Sequence, residues 1–333
     1  MDYPIKKVAM TGGSGPVGLA LIRKLIDQGI EILLFQRADS LKAIYLPQHE
    51  LLHIEYCKLN ELETFIPKEN DYDVFFHMGW ENTDACYRND ISKHIKNVQY
   101  ACDAVKLAHE LGCHTFVGVG SQAEYGRHNE ALTGRTVCRP ENAYGAMKLS
   151  ACHATRLVCE QYHMRYIWTR IMSAYGIYDN VSSVLISTIL NAMDGKELYF
   201  SKCEQIWDFV YVDDVANALY LMAVRGKHGE IYPLGSGAAR PLKEYIYTLC
   251  SKLEKLDSMR FGKLEYSQHQ IMHLEADIHQ LEVDTQWYPQ IDFDIGIEKT
   301  IDFYKQWKIE WEDIFWKRYE WLKTMENTTK EKA

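Results

Sequence analysis

The segment Tyr144-Gly145-Ala146-Met147-Lys148 sets a phenol and an ammonium four residues apart at the start of a helical pattern, so both fall on one face about a turn apart. A cation so placed stabilises phenolate. That predicts a tyrosine pKa drawn from about 10 toward working pH, and a group able to give or take a proton at a carbonyl or alcohol oxygen. Upstream, Thr115-Phe116-Val117-Gly118-Val119-Gly120 reads as a strand that delivers Ser121 to the carboxyl edge of a sheet. A hydroxyl there can hydrogen-bond the reacting oxygen and hold it for Tyr144. An N-cap or turn serine is the alternative reading of Ser121.

A tyrosine and a lysine at this spacing are common by chance, and their weight comes from what precedes them. Thr11-Gly12-Gly13-Ser14-Gly15-Pro16-Val17-Gly18 follows the first apolar run and opens the first amphipathic helix. In that context a glycine-rich loop lets backbone N–H groups and the positive end of a helix dipole approach a pyrophosphate, which predicts dinucleotide binding through Gly12, Gly13, Ser14, Gly15, Pro16, Val17 and Gly18. At the end of the second strand an acidic residue selects the ribose 2'-OH of NAD, and an arginine accepts the 2'-phosphate of NADP. Here that place holds Gln36, followed by Arg37. The expectation is NADPH, with NAD as the alternative, and it rests on one side chain that also reads as a solvated loop arginine.

Positioning these groups requires an alternating scaffold. Apolar runs near Ile5-Met10, Ile30-Phe35, Leu51-Cys57, Val74-His77, Thr115-Val119 and Tyr166-Ile171 are separated by helical patterns, the signature of a parallel sheet covered by helices. Helices are expected over 17–28, 91–111, 143–162, 183–193 and 213–224. Gly29, Gly112, Gly195 and Gly226 lie just past four of these ends as candidate C-caps. Beyond residue 230 a helix is expected over 242–253, then a less regular stretch to Gln290 and aromatic-rich helices from Gly296. The tail aromatics Tyr304, Trp307, Trp311, Trp316, Tyr319 and Trp321 read as packing onto the body, a ligand stack being the alternative.

The 333 residues, 47% hydrophobic and 25% charged, suit a soluble globular chain with two lobes sharing a core. A formal net charge of −9 argues against general nucleic-acid affinity. No apolar window reaches the roughly 18 residues of a membrane span and no leader pattern opens the chain, so a cytoplasmic protein without membrane partners is expected. The nine cysteines are odd in number, form no C-x-x-C pair and read as reduced, buried thiols. No cluster has metal-ligand spacing, and no metal is expected.

These motifs, in this order, resemble the extended short-chain dehydrogenase/reductase family in its nucleotide-sugar branch, the NAD-dependent epimerases and dehydratases. The resemblance also takes in Phe76-His77-Met78-Gly79-Trp80, Asn97-Val98, Ser121-Gln122-Ala123-Glu124-Tyr125-Gly126, the run from Asp208 to Ala216, and Tyr232-Pro233-Leu234-Gly235-Ser236-Gly237. It implies an α/β fold with a Rossmann-type doubly wound parallel sheet and a smaller C-terminal lobe that grips a nucleotide diphosphate sugar. It also implies a homodimer through two long helices. The division expected is 1–172 for the dinucleotide domain, with a segment near 205–230 returning to it, and 173–333 mainly for the substrate lobe and C-terminal helices. By position Ser121, Tyr144 and Lys148 take catalytic roles. Lys148 also holds the nicotinamide ribose, and His77, Gly79 and Asn97 join the cofactor site. Trp80, Gln122 and Trp207 are candidate substrate contacts; His77 and Trp80 read equally as packed structural residues, and for Trp207, which could stack on the base or sugar, packing is the alternative.

Departures from the family pattern narrow the activity. The acid pair that follows the catalytic hydroxyl in sugar 4,6-dehydratases is Gln122-Ala123 here, which argues against elimination. The arginine that often grips substrate phosphates ahead of Asp-Phe-Val is Trp207. The pattern looks most like reductases that convert 4-keto-6-deoxy nucleotide sugars to deoxyhexoses. A UDP-sugar 4-epimerase with tightly bound NAD is the alternative, and a dinucleotide-sensing protein without chemistry is the third reading.

Overall fold

A computed structural model describes residues 2–267 and 269–307. Seven parallel strands form the main sheet: β1 (Lys7–Thr11), β2 (Glu31–Gln36), β3 (Leu52–Tyr56), β4 (Val74–His77), β5 (Thr115–Ser121), β6 (Arg165–Ile171) and, far along the chain, β11 (Ile231–Leu234). Their order is β11-β6-β5-β4-β1-β2-β3. The connections therefore reverse direction between β1 and β4, which opens a crevice at the carboxyl ends of those strands where ligands of doubly wound sheets sit.

Helices α1 (Pro16–Asp27) and α5 (Val212–Arg225) pack together on one face, and α2 (Ile91–Glu110) and α3 (Ala143–Gln161) on the other. The strands serve both layers by alternation. On β4, Val74 and Phe76 enter one core while Phe75 enters the other; on β1, Val8 and Met10 oppose Ala9. Both faces of these strands are buried, which is why they read as continuous apolar runs.

The remaining elements are β7 (Ser173–Tyr175), α4 (Val184–Met193), β8 (Leu198–Tyr199), β9 (Ile206–Trp207), β10 (Phe209–Tyr211), β12 (Arg240–Pro241), α6 (Leu242–Lys252), β13 (Met259–Arg260) and α7 (His279–Thr285). They build a smaller lobe around the two-stranded pairs β7/β10, β9/β12 and β8/β13. Its apolar residues merge with the α1/α5 side of the sheet in one cluster. The segment that returns to the sheet runs over 212–234, as α5 and β11, later than the expected 205–230, because Ile206 and Trp207 pair with β12 instead.

The first-half elements lie within two residues of expectation. Gly29, Gly112 and Gly195 take φ of 70°, 82° and 68°, the left-handed geometry of a C-cap. Gly226 does not: its φ is −57°, and a methyl there would meet the Met222 carbonyl and the Ile167 side chain, so close packing is what excludes a side chain. The irregular stretch before Gln290 contains α7, which is too short for its periodicity to stand out. Helix covers 293–307, and the expectations on Trp311, Trp316, Tyr319 and Trp321 lie outside the described residues. All nine cysteines are free, and six are buried.

Candidate functional site

The carboxyl ends of β1, β4 and β5 open into a cleft of about 840 Å³. The glycine loop floors one end. Gly12 turns with φ 78° and lies so close to Met78 and Gly79 that a Cβ would stand 2.7 Å from their backbone. Gly18 lies against the Gly12 carbonyl, which lets α1 pack onto the loop, whereas a Cβ on Gly15 would make only ordinary contact with that carbonyl; Gly15 is the N-cap of α1, its N–H on the Gly12 carbonyl at 3.4 Å and its own carbonyl accepting the Leu19 N–H at 2.8 Å. Gly13 is different: it lies outside the cleft lining, and its missing side chain makes room for Leu34 and Ile22. An open cradle with a helix N-terminus behind it fits a dinucleotide pyrophosphate.

At this end Gln36 is buried with its amide on the Arg37 carbonyl at 3.3 Å, and Arg37 projects into solvent beside Asp39 at 3.7 Å. Ser40, Leu41, Lys42 and Tyr45 continue the wall.

At the other end the cleft brings together Gly79, Trp80, Ser121, Tyr144 and Lys148. Asn142 caps α3 by accepting the Gly145 N–H at 2.8 Å, which fixes Tyr144 in the first turn. Gly145 lets that turn touch the Ala123 carbonyl, so α3 sits directly on the short helical turn Gln122–Glu124. Ser121 heads that turn. Its hydroxyl accepts the Ala123 N–H at 3.2 Å, so the capping reading holds, yet the same residue lines the cleft together with Tyr144.

Electrostatics at this end differ from the expected pattern. Lys148 donates to the Val119 carbonyl at 2.8 Å and lies 4.1 Å from the centre of the Trp80 ring. Burial lowers its pKa to about 8, against the pull of the Glu124 carboxylate. Tyr144 is raised above its usual value of 10 by burial; the Ser121 hydroxyl and the Arg88 guanidinium, 5.5 Å from its ring, pull it down, and Glu124 raises it. The predicted depression of Tyr144 by Lys148 is therefore corrected. Desolvation dominates, the cation over the ring is Arg88, and the phenol is protonated at neutral pH.

Three expected site residues stand behind the cleft wall and not in it. His77 is buried, and its Nδ1 shares a hydrogen bond of 2.9 Å with the Thr11 hydroxyl, whose oxygen accepts the Gly79 N–H at 3.1 Å. Burial first, then the charge of Lys148, pushes its pKa down to about 3, so it is a neutral support. Asn97 accepts the Glu81 N–H at 2.7 Å and donates to the Lys93 and Glu81 carbonyls, holding the loop after β4. Gln122 also lies outside the lining, with a buried carbonyl that has no partner among the described residues. Trp80 does face the cleft, steered by its indole N–H on His94 Nδ1 at 3.2 Å.

Trp207 belongs to a second cleft of about 520 Å³ in the smaller lobe, lined also by Asn191, Phe200, Gln205, Phe209 and Tyr266. The next residue, Asp208, is buried outside the lining and accepts the Ser236 N–H and hydroxyl and the Ala276 N–H at 2.6, 2.7 and 3.0 Å. Asp179 lines both clefts, its carboxyl raised by burial to about 6 and hydrogen-bonded by Ser183.

Arg88, Tyr178, Asp179, Tyr304 and Trp307 all line the first cleft and were missed as site residues. Tyr304 and Trp307 are buried as well, so packing and lining coincide. The signal that could have found Tyr178 is local: it has φ 61°, uncommon for a bulky residue. Among the described residues no group of three side chains could hold a metal, and no helix is long and apolar enough to cross a membrane.

The sequence profile of the NAD dependent epimerase/dehydratase family matches residues 8–235. A dTDP-glucose 4,6-dehydratase of Haemophilus influenzae is 24% identical over 335 residues, covering 89% of this chain and 97% of the relative. A second, from Escherichia coli K12, is 30% identical over 180 residues, 52% of this chain and 50% of that one. Among solved structures, the dTDP-glucose 4,6-dehydratase of Streptomyces venezuelae with NAD bound superposes with a TM-score of 0.82 at 20% identity, covering 92% of this chain and 99% of that one. The UDP-glucose 4-epimerase of Thermotoga maritima with UDP-glucose does so with 0.81 at 18%, covering 90% and 99%. The structural likeness shows a shared Rossmann-type fold.

Proposed function

This chain belongs to the NAD dependent epimerase/dehydratase family, and we propose that within it the protein is an NADPH-dependent reductase of a nucleotide-linked 4-keto-6-deoxy sugar. The observation that carries this reading is the turn after Ser121. Where dehydratases of the family hold an acid pair, this chain has Gln122 and Ala123, and the one acid of the turn, Glu124, is fully buried against Arg170 at 2.7 Å. No carboxyl of that turn faces the cleft to drive an elimination.

The protonation state of Tyr144 points the same way. Reduction of a ketone needs a proton donor at the carbonyl oxygen, and burial keeps this phenol protonated. The Ser121 hydroxyl orients that oxygen, Tyr144 transfers its proton to it, and the charge of Lys148 close by supports the phenolate that results. When bound along the glycine loop, the dinucleotide supplies the hydride. The Arg37 guanidinium, with Ser40 and Lys42 on the same wall, supports a 2'-phosphate. The second cleft, with Trp207 and Gln205, supports the nucleoside part of the substrate. A homodimer through α2 and α3 accounts for the solvent-facing Ile91, Ile95 and Leu157, 58%, 56% and 51% exposed; light scattering tests it.

The deciding assay follows absorbance at 340 nm with NADPH or NADH and a dTDP-4-keto-6-deoxyglucose mixture, after identifying any dinucleotide released on denaturation. Consumption of NADPH by cofactor-free protein is expected. Co-purified NAD without net consumption overturns the reading in favour of epimerisation.

A further inference from the structure

Behind the Ser121 turn lies a buried ion pair that the chemistry above does not use. Glu124 Oε2 accepts from Arg170 Nε at 2.7 Å, with both side chains at most 2% exposed. Its Oε1 accepts the Ser121 N–H at 2.9 Å and the Trp168 indole N–H at 3.2 Å. Burial is the largest influence and pushes the Glu124 carboxyl up; the Arg170 charge and the three N–H donors pull it back toward the ionised form, and Glu124 in turn holds the guanidinium charged. Arg170 is fixed from its other side by the Tyr125 ring, 4.5 Å away.

Strand β5 is built around this arrangement. A Cβ on Gly120 would collide with Glu124 Oε1 and the Trp168 indole nitrogen, and one on Gly118 with the Trp168 ring. The alternating glycines of Val117-Gly118-Val119-Gly120 thus clear the space into which the carboxylate folds back beneath its own strand.

We propose that Glu124, clamped by Arg170, is a positioning residue of this site: it holds the Ser121 backbone in register with Tyr144 and keeps a fixed negative charge behind Lys148. The inference rests on reading Ser121, Tyr144 and Lys148 as the reacting groups. Lys148 is otherwise surrounded by the Val119 carbonyl, the Trp80 ring and two histidines, His77 from β4 and His94 from α2, whose pKa values burial lowers and the Lys148 charge lowers further. Glu124 is therefore the anion that keeps a desolvated ammonium protonated near neutral pH. With the charge gone, Lys148 loses its proton at lower pH, and any activity that needs the ammonium falls off earlier as pH rises.

The test titrates Lys148 by NMR in protein carrying 13C at lysine Cε, the signal assigned with Lys148→Arg, without substrate or cofactor. Glu124→Gln/Arg170→Met removes both charges together, so no buried guanidinium is left alone. The expected result is a Lys148 titration about one pH unit lower than in the wild type, in a protein that melts within about 5 °C of it. An unchanged titration in that folded variant overturns the proposal. Arg170→Lys, which keeps the charge and drops the planar fork, decides the matter if the double variant does not fold: the Ser121 amide should then exchange with solvent about tenfold faster, and unchanged exchange overturns the positioning role. Neither readout needs turnover. A wild type that does not consume NADPH thus removes the reductase reading while the titration still judges Glu124.

Discussion

The two clefts are made of different material. The first is shaped by backbone: a φ of 78° at Gly12, the contact of Gly18 with a carbonyl, and a helix N-terminus. The second is shaped by side chains from strands of two or three residues, with Trp207, Gln205 and Phe209 at its wall. A backbone site allows few residue types and fails when one methyl is added. A side-chain site can be rebuilt by substitution, which is how one fold serves many substrates.

The sharpest way to test this contrast is at the reacting end of the first cleft. Tyr144→Phe is expected to lower turnover about a thousandfold, the middle of the range for loss of a general acid, while NADPH still binds in a fluorescence titration. Retained turnover would sink the proton relay. Next comes Gly18→Ala. The added methyl would collide with the Gly12 carbonyl and the Gly13 backbone, and urea denaturation should show a loss of about 1–3 kcal/mol together with weakened dinucleotide binding. A stable, binding-competent variant would mean the loop is not shaped by backbone contact.

Acid should act on the first cleft from behind. His77 is neutral in the folded chain, with its pKa moved from 6.5 to about 3, so the unfolded chain binds the extra proton between those values. Stability therefore falls as pH drops through 6.5 toward 3, by about 1.4 kcal/mol per pH unit at most, and His77→Asn should flatten that slope in denaturation curves at pH 7 and 5. Smaller effects separate the ends. Arg37→Ser should weaken NADPH about tenfold and leave NADH nearly unchanged in equilibrium titrations. Trp207→Ala should raise the substrate KM several-fold with cofactor affinity intact; the reverse pattern would assign Trp207 to the wrong cleft.

The same contrast explains what could be read from the sequence. β1 through β6 and the glycine loop are legible because buried parallel strands are continuous apolar runs and because a phosphate loop needs glycine at fixed places. Ser121, Tyr144 and Lys148 follow from their order behind that loop. For His77 and Asn97 spacing gives the element and its nearness to the cleft, but not the side of the wall to which a side chain is hydrogen-bonded, and both bond into the layer behind it. The Tyr144 error is of the same kind: a neighbour at i+4 is legible, but the Val119 carbonyl and Trp80 ring that claim Lys148 come from 29 and 68 residues away in the chain and are not. Arg88, Asp179 and Trp307 lie in loops and a late helix, where no period marks a residue as facing a cleft.

The seventh strand carries a consequence for biosynthesis. β11 pairs with β6 but is translated about sixty residues later, after the small lobe has begun. Until Ile231–Leu234 leaves the ribosome, Arg165–Ile171 is a bare, apolar sheet edge on a nascent chain, the kind of template that pairs with other chains. Synthesis of this protein should therefore depend on speed and on chaperones through that interval, and a chain stopped near residue 172 should aggregate where the complete sheet does not.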